Sequence, residues 1–275
     1  MIVISNNIVL GAGESLATPI FGWRNLVTAT NVSATTEHPD HPAANLANPS
    51  TALRWLASPG SPAGDEYLTV AINSVDPVDY LAIARHNLGS ASCVVSVEGA
   101  SEMTGSPEEP DWQELVQEVL LPDDGPALFR FTPQALTHIR LKIQPGSDVP
   151  TVAVLYVGKL LVAERGIASD HTPINFGRVE DRVNALSENG QFLGRIILSE
   201  SRQASLSFRH LTPGWYRQHM DPFIKASGEK PFFVAWKPQE FPRDVGYCWM
   251  TNQPQPVVSF DTGRIAIDLE MSGVA

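Results

Sequence analysis

Leu136-Thr-His-Ile-Arg-Leu-Lys-Ile143 alternates without a break: Thr137, Ile139, Leu141 and Ile143 share one side, and His138, Arg140 and Lys142 the other. Successive side chains of a strand point to opposite faces. The pattern is therefore that of an antiparallel strand with one face in a core and one in water. Working outward, Tyr67-Leu-Thr-Val-Ala-Ile72, Tyr80-Leu-Ala-Ile-Ala84, Cys93-Val-Val-Ser-Val97, Phe129-Arg-Phe131 and Val152-Ala-Val-Leu-Tyr-Val157 are all strand-like. Turn formers interrupt them at Ala47-Asn-Pro49, at Ser58-Pro-Gly-Ser-Pro62 and along the acidic stretch from Ala100 to Pro110. Strands at this density predict a sandwich or jelly roll. Trp55, in a Pro/Asn-rich loop, is placed to plug one end of it.

The rest of the chain agrees with a β-rich protein. Its 275 residues suffice for one large or two ordinary domains, and 43% apolar with 18% charged residues is a globular composition. The 22 prolines and 20 glycines suit many short strands joined by turns. Cys93 and Cys248 each sit in an apolar run, which predicts buried thiols and no disulfide framework. The N-terminus lacks a basic segment followed by a long apolar one, and no run approaches the roughly 20 apolar residues of a membrane span. Net charge is −11, and residues 1–160 carry 7 Lys/Arg against 17 Asp/Glu. A basic nucleic-acid-binding face is therefore not expected there.

Composition divides the chain into an arm or set of short edge strands over 1–35, a β-sandwich over 36–163 and a second β unit over 164–275. In the second unit Ser187-Glu-Asn-Gly190 reads as a hairpin turn, with Asn-Gly accepting positive φ at both central positions. Arg195–Glu200 and Gln203–Phe208 read as separate strands. Thr212 to Gly228 reads as the one convincing helix, capped by Thr212, started by Pro213, closed by Gly228, and kinked or split at Pro222. Its apolar stripe is either Trp215, His219 and Phe223, or Met220 with Phe223.

From Ala43 to Val162 the landmarks follow an order: Thr51 and Trp55, two Tyr-led strands, His86-Asn-Leu-Gly89, Cys93–Val97, Asp111-Trp112, Phe129–Phe131, Leu136–Ile143 and Val152–Val157. This order resembles the discoidin-like (F5/8 type C) jelly roll, in the form seen in tail proteins of tailed phages. The strand, hairpin and helix order after residue 163 is similar to the tail-tube-like fold of phage distal tail and baseplate proteins. Together the resemblances imply a mainly β chain: an N-terminal discoidin-like jelly-roll sandwich and a C-terminal tail-tube-like β-sandwich with one flanking helix. The implied function is that of a virion structural protein of a tail tip or baseplate, synthesised in a host cytoplasm. Its partners would be copies of itself in a ring, sixfold rather than threefold, and the tail tube, tape-measure and hub proteins. DNA would pass through the lumen without specific binding. A host-surface glycan is a further implied partner.

Catalytic motifs are not found. There is no nucleophile elbow, phosphate loop or His-Glu-x-x-His, and Gly11-Ala-Gly13 lacks the third glycine and the helix of a dinucleotide site. His38, Asp40 and His41 lie in a Pro-rich loop without a third spaced ligand. The acidic pairs Asp65/Glu66, Glu108/Glu109, Asp123/Asp124 and Glu180/Asp181 sit in turn-like contexts, whereas glycoside hydrolysis needs two carboxyls across a pocket. No enzyme activity, metal or cofactor is expected, and a loop-bound calcium stays open. For the alternative reading as a carbohydrate-binding adhesin, Trp55, His86, Asn87 and Trp112 would border the glycan. His86 could instead be a hydrogen-bonded turn residue, and Trp55 and Trp112 core. For ring assembly, Arg195, Arg202, Arg209 and Trp215 are the candidate contact residues, against ordinary exposed charges on a strand face.

Overall fold

A computed structural model describes residues 1–11, 13–58, 64–72, 76–105 and 109–275. Ala12 of the Gly-Ala-Gly stretch, most of the Ser58–Pro62 turn and Glu108 lie outside the described residues. The protein is mainly β, with several sheets and one 15-residue helix.

Two five-stranded sheets form the jelly roll. One runs Ile2–Ile4, Ala127–Gln134, Val78–His86, Thr151–Gly158, Trp55–Leu56 in spatial order. The other runs Gln113–Leu120, Val94–Ala100, His138–Gln144, Glu66–Ala71, Val32–Ala34. In the alternating stretch Ile139, Leu141 and Ile143 point into the core with Leu68, Val70, Val95 and Val97, while His138, Arg140 and Lys142 face out. Trp55 is fully buried in this core, and its indole N–H donates to the Thr36 carbonyl at 2.9 Å.

Val78–His86 and Thr151–Gly158 differ: nearly every residue is buried. Continuous apolar strands of this kind are covered on both faces, and here a third sheet provides the second cover. Its order is Leu161–Val162, Ile20–Gly22, Phe232–Ala235, Val245–Met250, Ile265–Val274, Phe192–Leu211, Arg178–Leu186. Tyr80, Ala82, Val154 and Tyr156 from the jelly roll pack against Ile20, Phe233, Ala235, Val245 and Tyr247 from this sheet. The buried hydroxyls are satisfied across the junction, Tyr156 donating to Pro231 O at 3.1 Å and Tyr247 to Pro49 O at 2.7 Å. Phe232 and Val234, alternating with Phe233 and Ala235, point the other way into a core shared with Phe223 and Met220 of the helix.

The first 35 residues are thus shared out. Ile2–Ile4 and Val32–Ala34 are edge strands of the jelly roll, whereas Ile20–Gly22 pairs with Phe232–Ala235 in the third sheet, as Leu161–Val162 does with Ile20–Gly22.

The helix spans Pro213 to Ser227 without a break. Pro222 has no N–H to give, and the chain meets this by widening into a π turn over Tyr216–Met220, with Asp221 N–H reaching back to Tyr216 O. Tyr216, Met220 and Phe223 are buried, so the Met220/Phe223 stripe is the inward one. Thr212 precedes the helix but does not cap it with its side chain. Its N–H and hydroxyl both donate to the Glu164 carboxylate at 2.8 Å.

Candidate functional site

Phe192–Leu211 is one 20-residue strand rather than two. From Arg202 onward it pairs with Ile265–Val274 inside the third sheet, and before Arg202 with Arg178–Leu186 alone. Nine residues at about 3.3 Å each make a two-stranded ribbon reaching roughly 30 Å beyond the body. Neither outer edge of this ribbon is paired among the described residues. At its tip only Gly190 has positive φ, at 76°, so the turn from Ser187 to Gln191 is longer than the two-residue Asn-Gly form.

Directly opposed residues of a ladder share a face. Counting along the register, including its two shifts, Arg178, Glu180, Arg182, Asn184, Leu186, Phe192, Arg195, Ile197, Glu200 and Arg202 fall on one side, mostly charged or polar but with Ile197 opposite Arg182. Arg202 pairs with Glu200 at 3.2 Å, and Arg195 Nε donates to Asn184 Oδ1 at 2.8 Å. The opposite side carries Val179, Val183, Ala185 and Ile196, with Asp181, Ser199 and Ser201 nearer the stem. Leu186 and Phe192 meet at the tip, and Leu193 and Leu198 sit at the register shifts. The large apolar residues of the ribbon are 43–66% exposed.

Of the residues nominated for assembly, Arg195 and Arg202 are therefore on the ribbon. Arg209 lies farther down the long strand, held by Asp268 at 2.8 and 3.2 Å, and Trp215 is half-buried on the helix against His219. Sequence reasoning missed Val183, Ile196 and Leu198, although three consecutive apolar residues (Ile196-Ile-Leu198) in a polar setting were the available signal.

The nominated glycan residues separate. Trp55 is closed to solvent, as above. His86 is buried, its Nε2 2.9 Å from Gly125 O and its Nδ1 accepting from Leu88 N–H, and burial pushes its pKa down to about 4. Asn87 spans two strand ends, donating to Val149 O and accepting from Thr151 N–H, both at 2.9 Å. These three hold the jelly roll's end together, and Trp55 and His86 offer no surface to a sugar. Asn87 and Trp112 both reach the surface in part, Trp112 on the outer sheet face. There the Arg140 guanidinium lies 4.0 Å from the ring centres of both Trp112 and Tyr67, with its Nε on Glu98 at 2.6 Å. His138 meets Trp112 edge-on at 6.4 Å.

Two sandwiched sheets with this strand order place the module. Over about half its length the chain resembles family 32, discoidin-like carbohydrate-binding jelly rolls. Chitosan-binding module 1 of a Paenibacillus sp. IK-5 chitosanase/glucanase superposes with a TM-score of 0.41 at 16% identity, covering 49% of this chain and 98% of that one. A Clostridium perfringens family 32 module in complex with GalNAc-β-1,3-galactose gives 0.41 at 14%, covering 49% and 99%. A second C. perfringens module, in complex with galactose, gives 0.40 at 17%, covering 48% and 97%. No family model and no curated protein matches the sequence. Among the described residues no group of three or more His, Cys, Asp or Glu is placed to hold a metal, and no helix is long and apolar enough to cross a membrane.

Proposed function

We propose that this chain is a self-assembling structural subunit of the tail-tip or baseplate kind, carried in a virion. Its copies join through the 178–201 ribbon into a closed ring, with the jelly roll as peripheral decoration. The observation that carries this reading is the ribbon itself. A lone two-stranded ribbon is marginal in water, and among the described residues this one has two unpaired edges and exposed apolar side chains with nothing on them. Taken over both sides and the register shifts, the exposed apolar residues of the ribbon amount to roughly 800 Å², about what each partner gives to a standard-size interface. A second copy meets all three needs, because the 178–186 edge of one ribbon complements the 192–201 edge of the next. Such a head-to-tail contact closes into a ring when its rotation permits. Sedimentation of the full chain at micromolar concentration, followed by particle imaging, should show a closed ring of one size. A monomer throughout that range removes the reading.

A second reading concerns the jelly roll alone: binding of a host-surface glycan, in line with the sugars named for the modules it resembles. Trp112 supports it, a half-exposed indole immobilised by Arg140 on an otherwise polar face, since sugars stack on aromatic rings fixed in this way. A glycan array probed with the assembled chain should give hits that Trp112→Ala abolishes without altering ring mass. An array blank for the unaltered chain would dismiss it.

A further inference from the structure

Three segments distant in sequence meet at a cavity of about 240 Å³ between the jelly roll and the helix. Its polar lining is Arg24, Lys159, Gln218 and His219, and Trp23 supplies an aromatic wall. The meeting is built into the backbone. A Cβ on Gly158 would stand 2.4 Å from the Arg24 carbonyl oxygen, so only glycine admits this approach. Tyr80, itself buried in the junction, donates its hydroxyl to the same oxygen at 2.5 Å. Arg24 and Lys159 are thereby brought to one opening by two touching strands of chain, and His219 comes from the π turn of the helix.

In a chain of net charge −11 this is an unusual concentration of cations, and none of the lining residues is acidic. Lys159 makes no ion pair among the described residues. Arg24 pairs with Asp76 at 3.6 Å, but both side chains are largely exposed, and such pairs are weak and easily exchanged. The field within the cavity registers on His219, whose pKa is held below the ordinary value by burial and then by Lys159 and Arg24.

We propose that this cavity binds a tetrahedral oxyanion group, phosphate or sulfate, free or carried as an ester on a larger ligand. Two cations, an amide and an imidazole approaching from three directions suit a tetrahedral group that accepts on several oxygens. At roughly 30 Å³ for each water displaced, the volume also leaves room for the stem of an ester. The site is independent of the ribbon. A bound group would tie the N-terminal segment, the jelly-roll exit and the helix to one another.

The test is calorimetric titration of the full chain with inorganic phosphate and, separately, with N-acetylglucosamine 6-sulfate. Unaltered protein should bind phosphate with a dissociation constant of about a millimolar or tighter, and Lys159→Met and Arg24→Met should each weaken this at least about tenfold. Phosphate should raise the Tm of the unaltered protein but not of Lys159→Met. Arg217→Met, an exposed arginine on the same helix outside the lining, should change nothing. Tighter binding of the sugar sulfate assigns the site to an ester, and equal or weaker binding to the free anion. Absence of saturable binding of either probe, or binding that survives both lining substitutions, overturns the proposal.

Discussion

Ile196→Asp is expected to yield a folded chain that no longer assembles. Ile196 stands opposite Val183 in the middle of the ribbon's apolar side and is 66% exposed in the single chain. A carboxylate there stays in water before association, so monomer stability should move by no more than about 0.5 kcal/mol. In the ring the same carboxylate is buried against apolar side chains with no cation assigned to it. An unpaired buried charge costs about 3 kcal/mol or more, which is roughly a hundredfold loss of affinity at each joint. Because a closed ring needs every joint, the assembled population should vanish at concentrations where the unaltered chain is fully assembled. Asn184→Asp on the opposite side is the control, since its neighbour Arg195 already donates to that position and would hold the new charge. Sedimentation velocity reads both. If Ile196→Asp sediments with the unaltered chain while Asn184→Asp dissociates, the charged side is the joint and the apolar one is not.

What was legible in the sequence follows from how local each cause is. The jelly roll's half-buried strands announce themselves, because one face must be apolar and the other polar within seven residues, as in His138–Gln144. Trp55 as an end plug and Pro222 as a disturbance in the helix are likewise local statements, although the π turn that absorbs the proline is not visible beforehand. Ile20–Gly22 and Leu161–Val162 could not be assigned to the third sheet. Strands of two or three residues show no period, and their partners lie some 140 to 210 residues away. The long strand Phe192–Leu211 reads as two because Ser199-Glu-Ser-Arg202 interrupts its apolar residues. The interruption marks the place where the strand leaves the sheet and becomes ribbon. Site residues were harder for the same reason. His86-Asn-Leu-Gly89 allows both a hydrogen-bonded turn and a polar rim in one dimension, and the partners Gly125, Val149 and Thr151, 39 to 64 residues away, are supplied only by the fold.

Asp79 belongs to the illegible class, and it carries the largest expected effect on stability. It is 1% exposed at the start of a strand buried on both faces. Its Oδ1 accepts from Leu160 N–H at 2.7 Å, which fixes the chain where it leaves the jelly roll for the third sheet. Among the described residues its Oδ2 has no hydrogen-bond partner, nor has Nη1 of the equally buried Arg130, whose Nη2 is held by Glu14 at 3.2 Å. Burial raises the Asp79 pKa to about 7, against the opposing pulls of the Leu160 hydrogen bond and Arg130. The folded chain therefore holds this proton more tightly than the unfolded one, whose carboxyl titrates near 3.8. Stability from this group is intact below about pH 4 and is lost as pH rises through 7. At about 1.4 kcal/mol per unit, the loss is roughly 4 kcal/mol. Asp79→Asn keeps an acceptor for Leu160 and cannot ionise. It should match the unaltered chain near pH 3.5, below the unfolded pKa, and exceed it by roughly 4 kcal/mol at pH 8.5, where Asp79 is charged. Chemical denaturation at both pH values, on the Ile196→Asp background so that assembly does not contribute, measures the difference. A variant less stable than its parent at pH 8.5 would mean that the ionised carboxylate is held by Arg130 strongly enough to outweigh its burial.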